Sequence, residues 1–183
     1  MASRKIAVII GSMRKDSFNR KVGKTLIQLA PPTLDMEIVE IGHLPMYNQD
    51  DDASPPPVYT EFRDRIKSYD GVLFCTPEYN RSVPGVLKNA IDVGSRPYGH
   101  SAWNGKPCAV VSVSPGALGG FGANHHLRQS LVFLNMPPMQ SPEAYLGGVG
   151  NQFDGDNLTN DSTRAFLQNF IDAFAAWVER HAD

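Results

Sequence analysis

Three short stretches of this chain concentrate groups able to grip a charged, flat ligand. The first, GSMRKDSFN (residues 11–19), offers hydroxyls at Ser12 and Ser17, a guanidinium at Arg14 and a tight-turning glycine at Gly11. It leads into an expected helix, whose N-terminus adds free amides and a partial positive charge. That combination is a phosphate nest; its plainer reading is a capping turn with solvated charges.

The second stretch, TPEYNRSVPG (76–85), sets an acid, an aromatic, an amide and a base between Pro77 and Pro84. Two prolines stiffen the loop, and Pro84 suits the first position of a following helix. The amides of Glu78, Tyr79 and Asn80 suit the carbonyl and nitrogen edges of a planar ring, with Tyr79 covering its apolar surface. The same residues also make sense as an ornate turn. In the third stretch, SPGALGG (114–120), Gly116, Gly119 and Gly120 let backbone approach a ligand and leave room for a broad body. Together the three describe a site for a mononucleotide with a large flat ring, the shape of flavin mononucleotide (FMN).

The elements that must hold these loops follow from hydrophobic patterning. KIAVII (5–10), GVLFC (71–75) and CAVVSV (108–113) are continuous, β-branched-rich runs, as in strands buried on both faces of a parallel sheet. LDMEIVEI (34–41) mixes acids with apolar residues, as a strand nearer an edge does; MQSPEAYLG (139–147) is a weaker fifth strand made irregular by Pro142. Helical spacing recurs at Val22, Leu26 and Leu29; at Val58, Phe62, Ile66 and Tyr69; at Leu87, Ala90 and Ile91; at Leu127, Leu131 and Leu134; and from Phe166 to Val178. Strand and helix therefore alternate five times, which predicts an α/β doubly wound domain with helices on both faces of a parallel sheet. In such a sheet, ligands bind beyond the carboxyl ends of the strands, where the three loops fall.

Composition narrows the remaining classes. With 183 residues, 42% of them hydrophobic, the expectation is one domain spanning 1–183. A formal charge of -2, from 17 basic and 19 acidic residues, provides no global field for nucleic acid or anionic lipid. Cys75 and Cys108 sit in apolar runs and form no disulfide framework, which points to a reducing cytoplasm. The apolar run after the basic N-terminus is too short for a secretory signal and reads as a first strand; no stretch is long enough to span a membrane.

Other chemistries are weaker. The loop at 11–19 matches neither G-x-x-x-x-G-K-S/T nor G-x-G-x-x-G, and Glu40 reads as a solvent-facing strand residue rather than a ribose ligand. CTPEYNR (75–81) has the C-x-x-x-x-x-R spacing of a cysteine phosphatase loop, but Pro77 removes an amide donor and Glu78 places negative charge beside a phosphate. His125 and His126 are adjacent, unlike the i, i+4 pair of a zinc helix, and suit packing or an interface. Asp50, Asp51 and Asp52 lack calcium-loop spacing and read as a solvated acidic loop. No metal site is expected.

GSMRKDSFN, then PEYNRSVPGVLKNAIDVGSRP (77–97), then SPGALGG followed by HHLRQSLVFLNM (125–136) resemble, in that order, the NADPH-dependent FMN reductase family of flavodoxin-like proteins, in its bacterial quinone and chromate reductase branch. The resemblance spans nearly the whole chain. It implies a flavodoxin-like three-layer sandwich with a five-stranded sheet of order 2-1-3-4-5. It implies an FMN phosphate and ribitol cradled by Ser12, Arg14, Ser17, Phe18 and Asn19. The isoalloxazine would be edged by Pro77, Glu78, Tyr79 and Asn80, and its pocket completed by Ser114, Pro115, Gly116, Ala117, Leu118, Gly119 and Gly120. It also implies NADPH or NADH as electron donor, a ping-pong cycle delivering electrons to quinones or acceptors such as chromate, and no catalytic side chain, because the hydride chemistry belongs to the flavin. A homodimer, with further pairing to a dimer of dimers, completes the expectation; Tyr47, Tyr98 and Trp103, in expected loops, suit an interface or pocket wall. The rival within the same fold is a flavodoxin electron shuttle, which such a nearly balanced charge does not advertise.

Overall fold

Alternation of side chains along three buried strands builds this molecule around two cores. The computed structural model describes residues 3–182. Strands β1 (Arg4–Ile10), β2 (Leu34–Val39), β3 (Gly71–Thr76), β4 (Cys108–Val113) and β5 (Ala144–Leu146) form a parallel sheet in the order β2-β1-β3-β4-β5. Ile6, Val8 and Ile10 of β1, with Leu73, Cys75, Ala109 and Val111, enter one core beneath α1 (Phe18–Leu29) and α5 (Asp161–His181). Ala7, Ile9, Val72, Phe74, Cys108 and Val110 enter the other, beneath α2 (Pro57–Lys67), α3 (Gly85–Gly94) and α4 (Phe121–Phe133). Strands apolar on both faces are thus covered on both faces, which is the flavodoxin-like arrangement expected from the sequence.

Edges differ from centre. In β2 buried residues alternate with exposed Asp35 and Glu37, and the strand ends at Val39, short of the expected Ile41. Glu40, one residue beyond, is exposed but not merely solvated: Arg20 donates from both Nη atoms to its two oxygens, each at 2.8 Å. The fifth strand is interrupted, as Pro142 suggested. Met139 donates its amide to Cys108 O, yet laddering with β4 resumes only at Ala144. One feature escaped the sequence reading: between β5 and α5, β6 (Phe153–Asp154) and β7 (Asn157–Leu158) form a small antiparallel hairpin across Gly155. Its amphipathic signal is too short to see. Lys21 donates to Gly155 O and Lys24 pairs with Asp156, fastening the hairpin to α1.

Helix limits follow local chemistry. Ser17 Oγ caps α1 by accepting from Arg20 N, and Asn160 Oδ1 caps α5 by accepting from Thr163 N. Pro84 is the residue preceding α3 rather than its first helical residue, and Leu134 follows the end of α4. Trp103 corrects an expectation outright. It is fully buried, donates Nε1 to Ile91 O at 3.0 Å and meets Phe62 and Phe74 with ring centroids 6.0 Å away. A Cβ on Gly94 would come 2.5 Å from its indole, so the helix can seat the ring only with glycine there. Tyr47 is half-buried against the same core and donates to Asp52 Oδ2, so the acidic loop is partly internal rather than wholly solvated. Of the three loop aromatics only Tyr98 is strongly exposed, at 86%.

Candidate cofactor site

The order of the sheet reverses between β1 and β3, and there the loops after β1, β3 and β4 enclose a cavity of about 280 Å³. Ser12, Arg14, Ser17, Phe18 and Asn19 supply one wall, Pro77, Glu78 and Tyr79 a second, and Val113, Ser114 and Pro115 the third. Asn80 and Gly116 through Gly120, expected alongside them, do not line this space. Val113 does, and was missed; as the last residue of β4 it reads from sequence as core alone.

The first wall is dense in hydrogen-bonding capacity. Ser12 and Ser17 are buried, Ser12 Oγ accepts from Arg14 N at 3.4 Å, and Ser17 takes the Arg20 amide. The amides of Phe18 and Asn19, in the first turn of α1, have no helical carbonyl to reach. Asn19 is only 4% exposed, and its Oδ1 has no hydrogen-bond partner. That oxygen has no accessible surface and can only accept, so the donors on this wall are the two hydroxyls, the first-turn amides and Arg14. Arg14 is exposed and, among the described residues, free of any ion pair. These groups fit the phosphate and sugar end of FMN.

The second wall differs in detail from its expectation. Tyr79 and Ser82 exchange backbone hydrogen bonds, N to O at 3.1 and 3.0 Å, across Asn80 and Arg81, which both hold positive φ, at 52° and 63°. The Tyr79 amide is therefore taken, leaving those of Glu78 and Asn80 as candidate donors to a ring edge. The Tyr79 side chain, 53% exposed, stands at the mouth. Glu78 points inward instead: Oε2 accepts from Ala123 N at 3.1 Å and Oε1 lies 3.3 Å from Arg81 Nη1.

Gly119 and Gly120, behind the third wall, are tightly packed against the sheet. Gly119 and Gly120 hold φ of 59° and 76°; a Cβ on Gly119 would stand 2.7 Å from the Tyr145 backbone, and one on Gly120 would stand 3.0 Å from Ser112 Cβ. They let the loop pack on β4 and β5. Ser114 fixes the start of the loop, donating its amide to Leu146 O and accepting from Gly116 N.

The histidines serve as packing and loop contacts. His125 packs against Phe121 at a tilt, with ring centroids 4.4 Å apart, and is hydrogen-bonded to the Tyr145 hydroxyl, whose pKa is pushed up to about 12 by burial and by Glu143. His126 meets Ser82 Oγ at 3.0 Å. The phosphatase alternative fails on Cys75: its thiol is fully buried in the core beneath α1, and burial pushes its pKa to about 12, so no thiolate is available. Among the described residues no cluster of His, Cys, Asp or Glu could hold a metal ion.

Known proteins share this plan. A quinone reductase of Pseudomonas putida is 65% identical over 95% of this chain and 94% of its own. A 2-hydroxy-1,4-benzoquinone reductase of a Burkholderia species is 46% identical over 95% of this chain and 96% of its own. The flavoenzyme NAD(P)H:(acceptor) oxidoreductase FerB of Paracoccus denitrificans superposes with a TM-score of 0.92 and 44% identity, covering 98% of this chain and all of that one. A flavodoxin of Pseudomonas aeruginosa, with a TM-score of 0.60 and 16% identity, shares the fold alone. Residues 4–150 match the model of the NADPH-dependent FMN reductases, and that match, the identities and the three-walled cavity agree: the chain belongs to that family.

Proposed function

We propose that this chain is one FMN-binding reductase domain that takes electrons from NADPH or NADH and delivers them to quinones. The observation that carries the reading is the convergence of the Ser12 and Ser17 hydroxyls, the Arg14 guanidinium and the N-terminus of α1 on one cavity. Such a set favours a phosphorylated ligand over an apolar one. When bound, FMN supplies the chemistry, accepting hydride from a nicotinamide and passing electrons onward.

The chain's own residues bind and orient. Ser12, Arg14, Ser17, Phe18 and Asn19 hold the phosphate end; Pro77, the amides of Glu78 and Asn80, and Tyr79 meet the ring; Ser114 and Pro115 close the third side, with Gly116, Ala117, Leu118, Gly119 and Gly120 forming the loop behind them. The exposure of Tyr79 supports an open outer face, where donor and acceptor would bind in turn in a ping-pong cycle. Chromate belongs to the same reading as a further acceptor, with Arg14 and Arg81 as nearby cations. The names of the Pseudomonas and Burkholderia relatives support quinones as the acceptor class.

A homodimer, open to further pairing, is part of the reading. Between α3 and α4 runs a groove of about 570 Å³, continued by one of about 530 Å³ that shares Ser95, Arg96, Phe133 and Leu134. Phe133, 84% exposed, stands beside it, so each copy carries both a knob and a hollow, as a two-fold interface requires. Two free, buried cysteines support a reducing compartment, the cytoplasm. Among the described residues no helix is long and apolar enough to cross a membrane.

The test is an absorbance titration with FMN, followed anaerobically by NADPH and then a quinone. Flavin bands that appear on binding, bleach within seconds and return with the quinone are expected. Binding without bleaching would point to an electron shuttle, and no binding would remove the cofactor reading.

A further inference from the structure

Helix α4 begins without a side-chain cap: its N-cap residue is Gly120, in the left-handed region, and no local side chain reaches its first amides. The cap comes instead from 45 residues earlier, where Glu78 Oε2 accepts from Ala123 N at 3.1 Å. The Glu78 side chain is 13% exposed and its other oxygen meets Arg81. One turn later on α4, His126 Nδ1 meets Ser82 Oγ at 3.0 Å. The Tyr79–Ser82 turn is thus pinned to α4 on both sides. The turn needs pinning, because Asn80 and Arg81 both occupy the left-handed region, at roughly 1–2 kcal/mol for each residue bearing a Cβ.

Glycine makes the junction possible. A Cβ on Gly122 would stand 2.9 Å from Glu78 Oε2 and 2.9 Å from Arg81 O, and one on Gly120 would lie 3.7 Å from Glu78 Cβ. It is the absence of a side chain at Gly122 that lets the β3–α3 loop settle on the helix start.

We infer that Glu78 is a positioning residue: its carboxylate caps α4 and thereby locks the Tyr79–Ser82 turn in the shape that holds the Pro77–Tyr79 wall against the cofactor. This rests on the FMN reading for its consequence, though not for its geometry. The carboxylate also sets a negative charge beside the ring end of the cavity, partly balanced by Arg81 and by the helix N-terminus.

The experiment compares the whole protein with Glu78→Ala, Glu78→Gln and Gly122→Ala. Amide hydrogen exchange on the FMN-free protein reads the clamp directly. Glu78→Ala is expected to speed exchange at Ala123 and Ser82 at least tenfold, Glu78→Gln to restore most of the protection through its remaining oxygen, and Gly122→Ala to repeat the alanine result from the helix side. FMN titration is expected to follow the same order, with Kd raised at least tenfold in Glu78→Ala and Gly122→Ala. Glu78→Gln, which keeps the acceptor and loses the charge, should move the midpoint potential of the bound flavin upward. Unchanged protection at Ala123 in Glu78→Ala, or in Gly122→Ala should the former not fold, would overturn the clamp. Absence of FMN binding by the unaltered protein would overturn the cofactor reading and leave the exchange result standing.

Discussion

Two hollows of this molecule invite opposite readings. The cavity at the strand ends encloses about 280 Å³ and is walled by loops bearing hydroxyls, the first-turn amides of α1 and a free guanidinium. The groove between α3 and α4 is about twice as large, about 570 Å³, and is walled by helix side chains, with Phe133 exposed at its margin. Size alone would choose the groove. Chemistry chooses the cavity, because a small ligand needs a few convergent polar groups and a partner protein needs breadth and exposed apolar surface.

Independence of the two regions can be broken in three ways, and a fourth change gauges a surface pair outside both. The largest effect should come from Trp103→Ala, beside Ser101 and Asn104 at the far end of the groove. Loss of a fully buried indole should lower unfolding free energy by about 3–5 kcal/mol in a denaturant titration, with FMN affinity of the folded protein unchanged. A parallel loss of affinity would show that the helix layer and the cavity act as one unit. Next, Arg14→Ala should raise the FMN Kd about tenfold to a hundredfold, the worth of a charge-assisted hydrogen bond. Thermal stability should hardly move, since Arg14 is exposed and unpaired. Unchanged affinity would remove Arg14 from the site.

Phe133→Asp tests the other hollow. Two carboxylates facing each other across a two-fold should loosen self-association at least tenfold in sedimentation velocity, with FMN titration unaffected. A wild-type monomer would sink the interface reading at once. The smallest effect is electrostatic and comes from a surface pair that lines neither hollow. The Arg20 hydrogen bonds hold the Glu40 carboxyl below its ordinary range, against partial desolvation, with smaller help from His43 and Arg65. A lowered folded pKa means that this stabilisation is complete above the unfolded value of about 4.3 and is lost as pH falls through the folded value. For so exposed a pair the contribution is under about 1 kcal/mol, so Glu40→Gln should remove a small part of the acid dependence of stability and nothing at neutral pH beyond that pair.

How much of this was legible in the sequence depended on the range of the signal. Runs such as KIAVII and CAVVSV declare buried strands because all but one residue of each is apolar, and the sheet order then follows from the resemblance and the alternation of elements. The nest at Ser12 to Asn19 was legible because its donors are contiguous. Three things were not. Trp103 is core because Gly94, nine residues earlier, makes room, a pairing no local pattern records. The Tyr79 amide is taken by Ser82, since Asn80 and Arg81 both adopt positive φ, which is common for asparagine but not for arginine. The Gly119–Gly120 pair reads as ligand clearance, and its clearance for Tyr145 and Ser112 stays hidden because both uses require the same missing Cβ.

The margins of the sheet carry a last consequence. An open parallel sheet ends in two rows of unsatisfied backbone groups, each a landing strip for a stray strand. Here one margin is the three residues of β5, set behind the break at 140–143, and the other is β2, whose outward Asp35 and Glu37 repel a copy of themselves. Tyr69 and Arg65 further engage Glu37 and hold it at the rim. Sheet-to-sheet growth is thereby discouraged on both flanks, and association is left to helical surfaces, which can make closed pairs instead of open fibres.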